Sequence, residues 1–375
     1  MKDKIRLLFS GDFAPLVDQD KISDNHFNTL NSLTSNVDAH ITNLECPLTN
    51  SDKIIEKTGP AIKARPENVK LLKQAKVSIA CLANNHIFDF GEQGITETLN
   101  VCHKNGIDTI GIVNRPDGRS HWIIEEIKGK KFGFLNYCEH EFSVRDEKLL
   151  GACGYNDIDA FYDIGKLKPK VDYLIVLYHG GNEYYPLPNP DMKKYFHYLA
   201  DLGADAVIGH HTHVFSGLEI YNDKPLVYSL GNFFFPYPNE PDEWHKAVIC
   251  KLEINRGIKC TLIPISQCKD SYDTTLLNET EANQILGEIE RLSEIIIDDN
   301  ILVLKWDEFS KIRGENIKRV LLYSTKVERL LFKYNYLYDF AHNRMNYKTR
   351  ALLIKNIVRC HSLRKLFLDN MKDNK

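Results

Sequence analysis

Short apolar runs that stop at a polar, ligand-type residue set the tightest limit on how this chain folds. Residues 5–9, 39–43, 77–82, 109–113, 173–178 and 206–209 are each four to six residues long and rich in β-branched or aromatic side chains. Runs of that length bounded by Gly, Asn, Asp or His read as buried strands. Amphipathic helices lie between them, over 66–75 with Pro66 at its start, over 94–104, and over 190–202 with Gly203 at its end. Strands alternating with helices argue for a layered α/β fold. Three further stretches read as hairpins: 122–127 with 131–136 around Lys128-Gly129-Lys130, 218–221 with 225–229 around Asn222-Asp223-Lys224, and 247–254 with 258–265 around Asn255-Arg256-Gly257. Hairpins in an α/β chain predict mixed rather than purely parallel sheets.

Composition excludes several classes. The 375 residues are 43% hydrophobic and 26% charged, so the chain has ample core and is not disordered. A net charge of -3 gives no global attraction to nucleic acid, and no finger or aromatic-basic sheet signature is present. No apolar run approaches the ~18 residues of a membrane span. Met1-Lys2-Asp3-Lys4 leads into strand-length sequence rather than a signal peptide, which predicts a cytoplasmic protein. The nine cysteines are scattered with no Cys-x-x-Cys pair, as expected for buried thiols in a reducing compartment. Character changes near residue 270. Residues 1–270 read as one α/β domain, and 271–375 as a helical extension with periodicity over 279–297. From Ile317 onward there are 14 Lys and Arg against 4 Asp and Glu. That tail is either a set of packed helices with a solvated basic face or a surface for an anionic membrane or polyanion.

The polar residues sit where the apolar runs end. Strand one ends in Ser10-Gly11-Asp12, strand two in Asn43-Leu44-Glu45, and strand three in Ala83-Asn84-Asn85-His86. Later strands end in Tyr178-His179-Gly180-Gly181 and Gly209-His210-His211-Thr212-His213. In open α/β sheets the carboxyl ends of strands converge on one edge, where ligands bind. Carboxylate, amide and imidazole donors together suit Mn, Fe or Zn better than Ca or Mg. Six or seven donors exceed the three that one catalytic zinc takes, so the count points to two divalent ions sharing a bridging carboxylate.

The order of these motifs resembles the bacterial capsule-synthesis proteins of the poly-γ-glutamate CapA type. The resemblance rests on Gly11-Asp12, Asn43-Leu44-Glu45-Cys46-Pro47-Leu48-Thr49, Ala83-Asn84-Asn85-His86 with Asp89-Phe90-Gly91, His179-Gly180-Gly181-Asn182-Glu183-Tyr184, residues 203–214 including His210-His211-Thr212-His213, and Tyr228-Ser229-Leu230-Gly231-Asn232-Phe233. It covers about residues 4–240. That family is in turn similar to the calcineurin-like metallophosphoesterases. The resemblance implies a metallophosphoesterase-like layered αββα sandwich with mixed sheets, plus a C-terminal α-helical extension. It implies Asp12 and His213 at one metal, Asn85, His179 and His211 at the second, and Glu45 bridging both. His86 is then a general acid or steadies the transferring group. Asp89 either orients the Asn85-His86 turn or caps the following helix. Glu183, His210 and Arg65 are candidates for contact with substrate. Ser229 and Asn232, in the Ser-Leu-Gly-Asn-Phe turn, brace the His loop, serve plain turn chemistry or, for Asn232, reach substrate. The chain departs from the metallophosphoesterase pattern at Ala14, where a His is common, and at Glu45, where Asp is common. It departs from the CapA pattern at Gly180 and Thr212.

The function expected from these residues is that of a dinuclear metal-dependent hydrolase or transferase in capsule or exopolysaccharide biosynthesis. Its partner would be a cell-surface polymer or a phosphorylated intermediate, met by a cytoplasmic protein at the inner face of the membrane beside the capsule machinery. The alternative is a non-catalytic assembly or polymer-binding component of the same apparatus.

Overall fold

The computed structural model describes residues 4–145, 149–322 and 347–371. Its strands follow in chain order as β1 (Ile5–Phe13), β2 (Ala39–Leu44), β3 (Ile79–Cys81), β4 (Asp108–Ile110), β5 (Ile112–Val113), β6 (Trp122–Ile127), β7 (Lys130–Cys138) and β8 (Gly151–Ala152). They continue as β9 (Tyr173–His179), β10 (Ala206–His210), β11 (Leu218–Tyr221), β12 (Lys224–Val227), β13 (Asn232–Phe234), β14 (Lys246–Ile254), β15 (Ile258–Gln267) and β16 (Thr274–Leu276). The first sheet has the order β16-β15-β14-β1-β2-β3-β4, with β13 beside the end of β1. Here β1 to β4 run parallel, while β14, β15 and β16 are antiparallel. The second sheet has the order β11-β12-β10-β9-β7-β6, with a parallel centre and antiparallel edges. Both sheets are mixed, as the hairpins required.

Alternation along the strands builds the layers. Leu7, Phe9, Ile41 and Ile79 of the first sheet share one buried cluster with Phe132, Phe134, Ile175, Leu177 and Ile208 of the second. The sheets therefore pack face to face. The intervening residues turn outward: Leu8, Leu44 and Ala80 on one side, Leu174, Val176 and Tyr178 on the other. They join a second cluster with helical residues such as Leu71, Ile95, Leu99, Ile164, Phe196 and Leu199. Those helices are α2 (Val69–Gln74), α3 (Gly91–Lys104), α4 (Asp157–Leu167) and α5 (Pro190–Leu202), the single turn α1 being Asn31–Thr34. The result is the layered αββα sandwich with mixed sheets that the motif order implied.

Local chemistry accounts for most boundaries. Asn189 caps α5 by accepting from the Met192 amide at 2.9 Å, Pro190 opens the helix, and Gly203 closes it at φ 128°. The apolar run 109–113 is not one strand. Gly111, at φ 88°, breaks it so that β4 stays in the first sheet and β5 pairs with β8. Helix α4 had a signal that the apolar pattern did not use: Asn156 accepts from the Asp159 amide at 2.8 Å, with acidic Asp157 and Asp159 in the first turn.

The first sheet runs on to Leu276, beyond residue 270. Helix α6 (Glu279–Ile297) packs on β11 and β15, and α7 (Asp299–Leu322) follows it. Two further helices, Tyr347–Arg359 and His361–Met371, complete the C-terminal extension, and the last packs on α7 with Trp306 Nε1 donating to Asp369 at 2.8 Å. Of the 14 basic residues read from the sequence, eight lie in 317–322 and 347–371, and the rest fall on 323–346 and 372–375, outside the described residues. No helix among the described residues is long and apolar enough to cross a membrane. All nine cysteines are unbonded, and all but the half-buried Cys260 are buried.

One buried histidine makes the fold sensitive to acid. His40 on β2 donates through Nδ1 to the Ala75 carbonyl at 2.8 Å and lies 2.8 Å from Ser10 Oγ through Nε2. Burial pushes its pKa down to about 4. The unfolded chain binds a proton below about pH 6.5 that the folded chain refuses. Stability is therefore full above pH 6.5 and falls as pH drops toward 4, by about 3 kcal/mol from this residue. Urea unfolding at pH 7 and pH 4 should show that loss in wild type, with His40→Gln losing about 3 kcal/mol less over the same interval.

Candidate metal centre

Two carboxylates from adjacent parallel strands begin the site. Gly11 precedes Asp12 because no side chain fits there: a Cβ would stand 1.8 Å from the Gly231 carbonyl oxygen. That contact is the crossing of β1 and β13, where the Asp12 amide donates to the same oxygen at 3.0 Å. Asp12 is fully buried, and its Oδ1 accepts from Asn43 Nδ2 at 2.8 Å while Oδ2 accepts from the His211 amide at 3.0 Å. Glu45 follows β2, held by its amide on the Phe13 carbonyl at 2.9 Å. Its carboxylate is also fully buried, and neither oxygen has a hydrogen-bond partner among the described residues. A buried acceptor without a donor is costly and asks for a cation. Burial first, then the charges of Asp12, Glu183 and Glu141, raise the Glu45 pKa well above the carboxylate range.

The second sheet brings the imidazoles. His179 ends β9 and His211 follows β10, with His179 Nε2 3.1 Å from His211 Nδ1 and 3.5 Å from Glu45 Oε1. Asn85 Oδ1 lies 3.0 Å from His179 Nε2. His213 Nε2 is 3.8 Å from Glu45 Oε1, and its Nδ1 is 3.6 Å from Asp12 Oδ2. Two groups of ligand atoms emerge, each spanning at most 4.8 Å: Asp12 with Glu45 and His213, and Glu45 with His179 and His211. Both contain Glu45. The arrangement is compatible with metal binding, because carboxylate and neutral imidazole converge on a buried acceptor that no donor among the described residues satisfies. Burial is the main force lowering the His179 and His213 pKa values, which keeps their lone pairs available. His211 at φ 98° and His213 at φ 60° occupy left-handed backbone that non-glycine residues avoid at a cost of about 1–3 kcal/mol.

Neighbouring side chains fix these groups. Asn232 donates to the carbonyls of His213 and Trp244, each at 3.3 Å, so its Oδ1 is the acceptor that faces His213 Nδ1 at 3.0 Å. That places the His213 proton on Nδ1 and turns Nε2 toward Glu45. Asn232 thus braces the His loop. Ser229 does so as well, accepting from Thr212 Oγ1 at 2.9 Å. His86 donates through Nδ1 to Asp89 Oδ2 at 2.7 Å, leaving Nε2 without a partner among the described residues. Asp89 is fully buried, accepts from the Ile62 amide at 2.9 Å, and pairs with Lys57 Nζ at 2.5 Å. It caps no helix, since Phe90 is the residue before α3.

The other expected contacts are spread more widely. Glu183 is exposed in the turn after His179. Desolvation by the surrounding protein atoms pushes its pKa up, but His213, His211, His86 and Lys57 outweigh that and hold the carboxyl below its usual range. His210 is 1% exposed and donates through Nε2 to the Ser10 carbonyl at 3.2 Å, behind the cluster. Arg65 is exposed at the start of the turn Pro66–Asn68, and no hydrogen bond or ion pair among the described residues joins it to the cluster. Sequence reasoning missed Glu139 and Glu141, which follow β7. The strand-end rule would have found them had residues 131–136 been read as a parallel strand as well as a hairpin arm. Nothing in the local sequence marked Lys57.

Fold and cluster together define a layered α/β protein with a buried carboxylate–imidazole centre at the strand tips. The sequence pattern of the family described as "Bacterial capsule synthesis protein PGA_cap" matches residues 6–237, and the chain belongs to that family. It is 29% identical over 241 residues to the "PGA biosynthesis protein CapA" of Bacillus subtilis, covering 61% of each chain. It is 28% identical over 180 residues to the "Capsule biosynthesis protein CapA" of Bacillus anthracis, covering 46% of this chain and 44% of that protein. The chain thus spans less than two thirds of the length of these relatives. Among solved structures, the calcineurin-like phosphoesterase YfkN of Bacillus subtilis overlaps 79% of this chain and 99% of its own at 15% identity and a TM-score of 0.43, too distant a likeness to bear on activity.

Glu45 gives a thermodynamic signature for such a centre. In chelator the Glu45→Gln variant should unfold at a higher temperature than wild type, with a gain of about 1–3 kcal/mol, because it removes a buried acid that no donor satisfies and that Asp12 crowds. In millimolar Mn the order should reverse. Calorimetric melts of both proteins in both buffers check this.

Proposed function

We propose that residues 1–270 form a dinuclear metal-dependent hydrolase, or a transferase using the same chemistry, that serves assembly of a poly-γ-glutamate-like cell-surface polymer. The observation that carries this reading is the pair of ligand groups that share Glu45. Asp12, Glu45 and His213 would hold one ion, and Glu45, Asn85, His179 and His211 the other. The donor set suits Mn, Fe or Zn. Two such ions supply Lewis acidity for a displacement at a phosphoryl or carbonyl centre.

The chain's own groups do the rest. His86 holds a proton at Nε2 for the leaving oxygen, its ring fixed by Asp89, which Lys57 and the Ile62 amide hold in turn. Asn232 keeps the His213 proton on the nitrogen turned away from Glu45. Glu183, exposed beside the His cluster, would meet the incoming substrate. The substrate is the polymer or a phosphorylated intermediate, met at the inner face of the membrane beside other capsule machinery, with no nucleic acid involved. The helices that follow β16 are the part that would meet that surface.

A second reading is a non-catalytic assembly component. Ala14 favours it, since this buried residue leaves the Asp12 side of the centre with three protein ligands. So do the names of the relatives, which speak of biosynthesis and not of hydrolysis.

Elemental analysis of protein purified without chelator should find about two ions per chain, and about one in His211→Ala and in His213→Ala. Both variants should lose turnover of a generic phosphodiester. His86→Ala should keep both ions and lose about 10²–10⁴-fold in kcat. Full polymer production in cells carrying His211→Ala and His213→Ala together would leave the assembly reading in place of the enzymatic one.

A further inference from the structure

The two C-terminal helices lie outside residues 6–237, the span shared with the family, yet they end on the loop that supports the metal centre. That loop follows β7, whose last residue Cys138 is in parallel register with His179. Its first residue, Glu139, is 4% exposed and satisfied by four donors. The Gly181 amide reaches Oε1 at 2.9 Å, from the turn just past His179. Ser362 Oγ at 2.5 Å, the Ser362 amide at 3.0 Å and Cys360 Sγ at 2.9 Å come from the junction of the two helices. Glu139 therefore sits at the N-terminus of the last helix, where backbone amides and the helix dipole favour a carboxylate. Arg359 adds a bond to the Val144 carbonyl at 2.6 Å, farther along the same loop.

Glu141 is the second link. Its Oε2 accepts from Asn356 Nδ2 at 3.0 Å, on the penultimate helix. Its Oε1 lies 3.9 Å from His211 Nε2, within ion-pair reach. His211 already offers Nδ1 toward His179 Nε2, so Nε2 is the nitrogen left for an outer partner. Histidines that ligate metals commonly give their second ring nitrogen to a carboxylate, and loss of that partner costs about 10–100-fold in metal affinity.

We propose that Glu141 and Asn356 are positioning residues for the second ion site. On this view the C-terminal helices are a built part of the metal centre: Asn356 aims Glu141, Glu141 orients His211, and Cys360 with Ser362 fix through Glu139 the turn that follows His179. The inference rests on the dinuclear reading above. It assigns to the extension a duty at the site itself, besides any contact with a membrane or polymer.

The test is a calorimetric titration of chelator-stripped full-length protein with Mn. Wild type should bind two ions. Glu141→Gln keeps the side chain's size, and Asn356→Leu removes only its hold. Each should weaken one of the two binding steps about 10–100-fold and leave the other within about twofold. Asn356→Gln, which restores a donor, should recover part of the loss. Trp306→Phe removes the hydrogen bond to Asp369 on the last helix and touches neither glutamate, so it should lower the melting temperature and leave both affinities alone. Two unaltered binding steps in Glu141→Gln overturn this inference and spare the dinuclear reading. So does an equal weakening in Trp306→Phe, which would reduce the effect to general stability. Wild-type protein that binds no Mn overturns both.

Discussion

A buried carboxylate with no hydrogen-bond donor is the constraint around which the strand tips are arranged. Glu45 stands where β2 of one sheet meets β9 and β10 of the other, and both ligand groups include it. Removing a carboxylate from water without a partner costs several kcal/mol, and Asp12, Glu141 and Glu183 add repulsion. A fold that keeps such a group, and also holds His211 and His213 at positive φ, concentrates local cost at one place. Binding a cation reverses the sign of the electrostatic part, because the same acids that repel one another attract the ion.

The sandwich makes this convergence possible. Parallel strands of both sheets deliver their carboxyl ends to one edge, and face-to-face packing through Phe9, Ile41, Phe134 and Leu177 holds the two sets of tips in register. Orientation then comes from side chains behind the first ring of donors. Asn232 sets the tautomer of His213, Asp89 sets that of His86, and Glu139 and Glu141 tie the His179 and His211 loops to helices that lie 215 to 221 residues beyond those two glutamates in sequence.

Much of this was legible from the sequence, for definite reasons. Buried strands announce themselves as unbroken apolar runs, so the two sheet centres were readable, as were the hairpins around Lys128-Gly129 and Asn222-Asp223, whose turn residues take positive φ. The break at Gly111 was not readable, because a five-residue apolar run looks the same whether one strand or two use it. The candidate donors were legible as residue types at strand ends. Their pairing was not: that Glu45 belongs to both groups, or that His210 turns away to the Ser10 carbonyl while its neighbours face the cluster, depends on how the sheets stack.

The sequence by itself determined the element types, the mixed α/β class and the set of polar residues available at the strand tips. These follow from local periodicity and from turn chemistry, which act over a few residues. The tertiary structure alone decided which of those residues meet. Lys57 reaches Asp89 from a loop with no pattern, Glu141 approaches His211 across the second sheet, and Asn356 arrives from the far end of the chain. Such contacts join positions tens to hundreds of residues apart, and only packing of the two sheets and the C-terminal helices brings them within bonding distance.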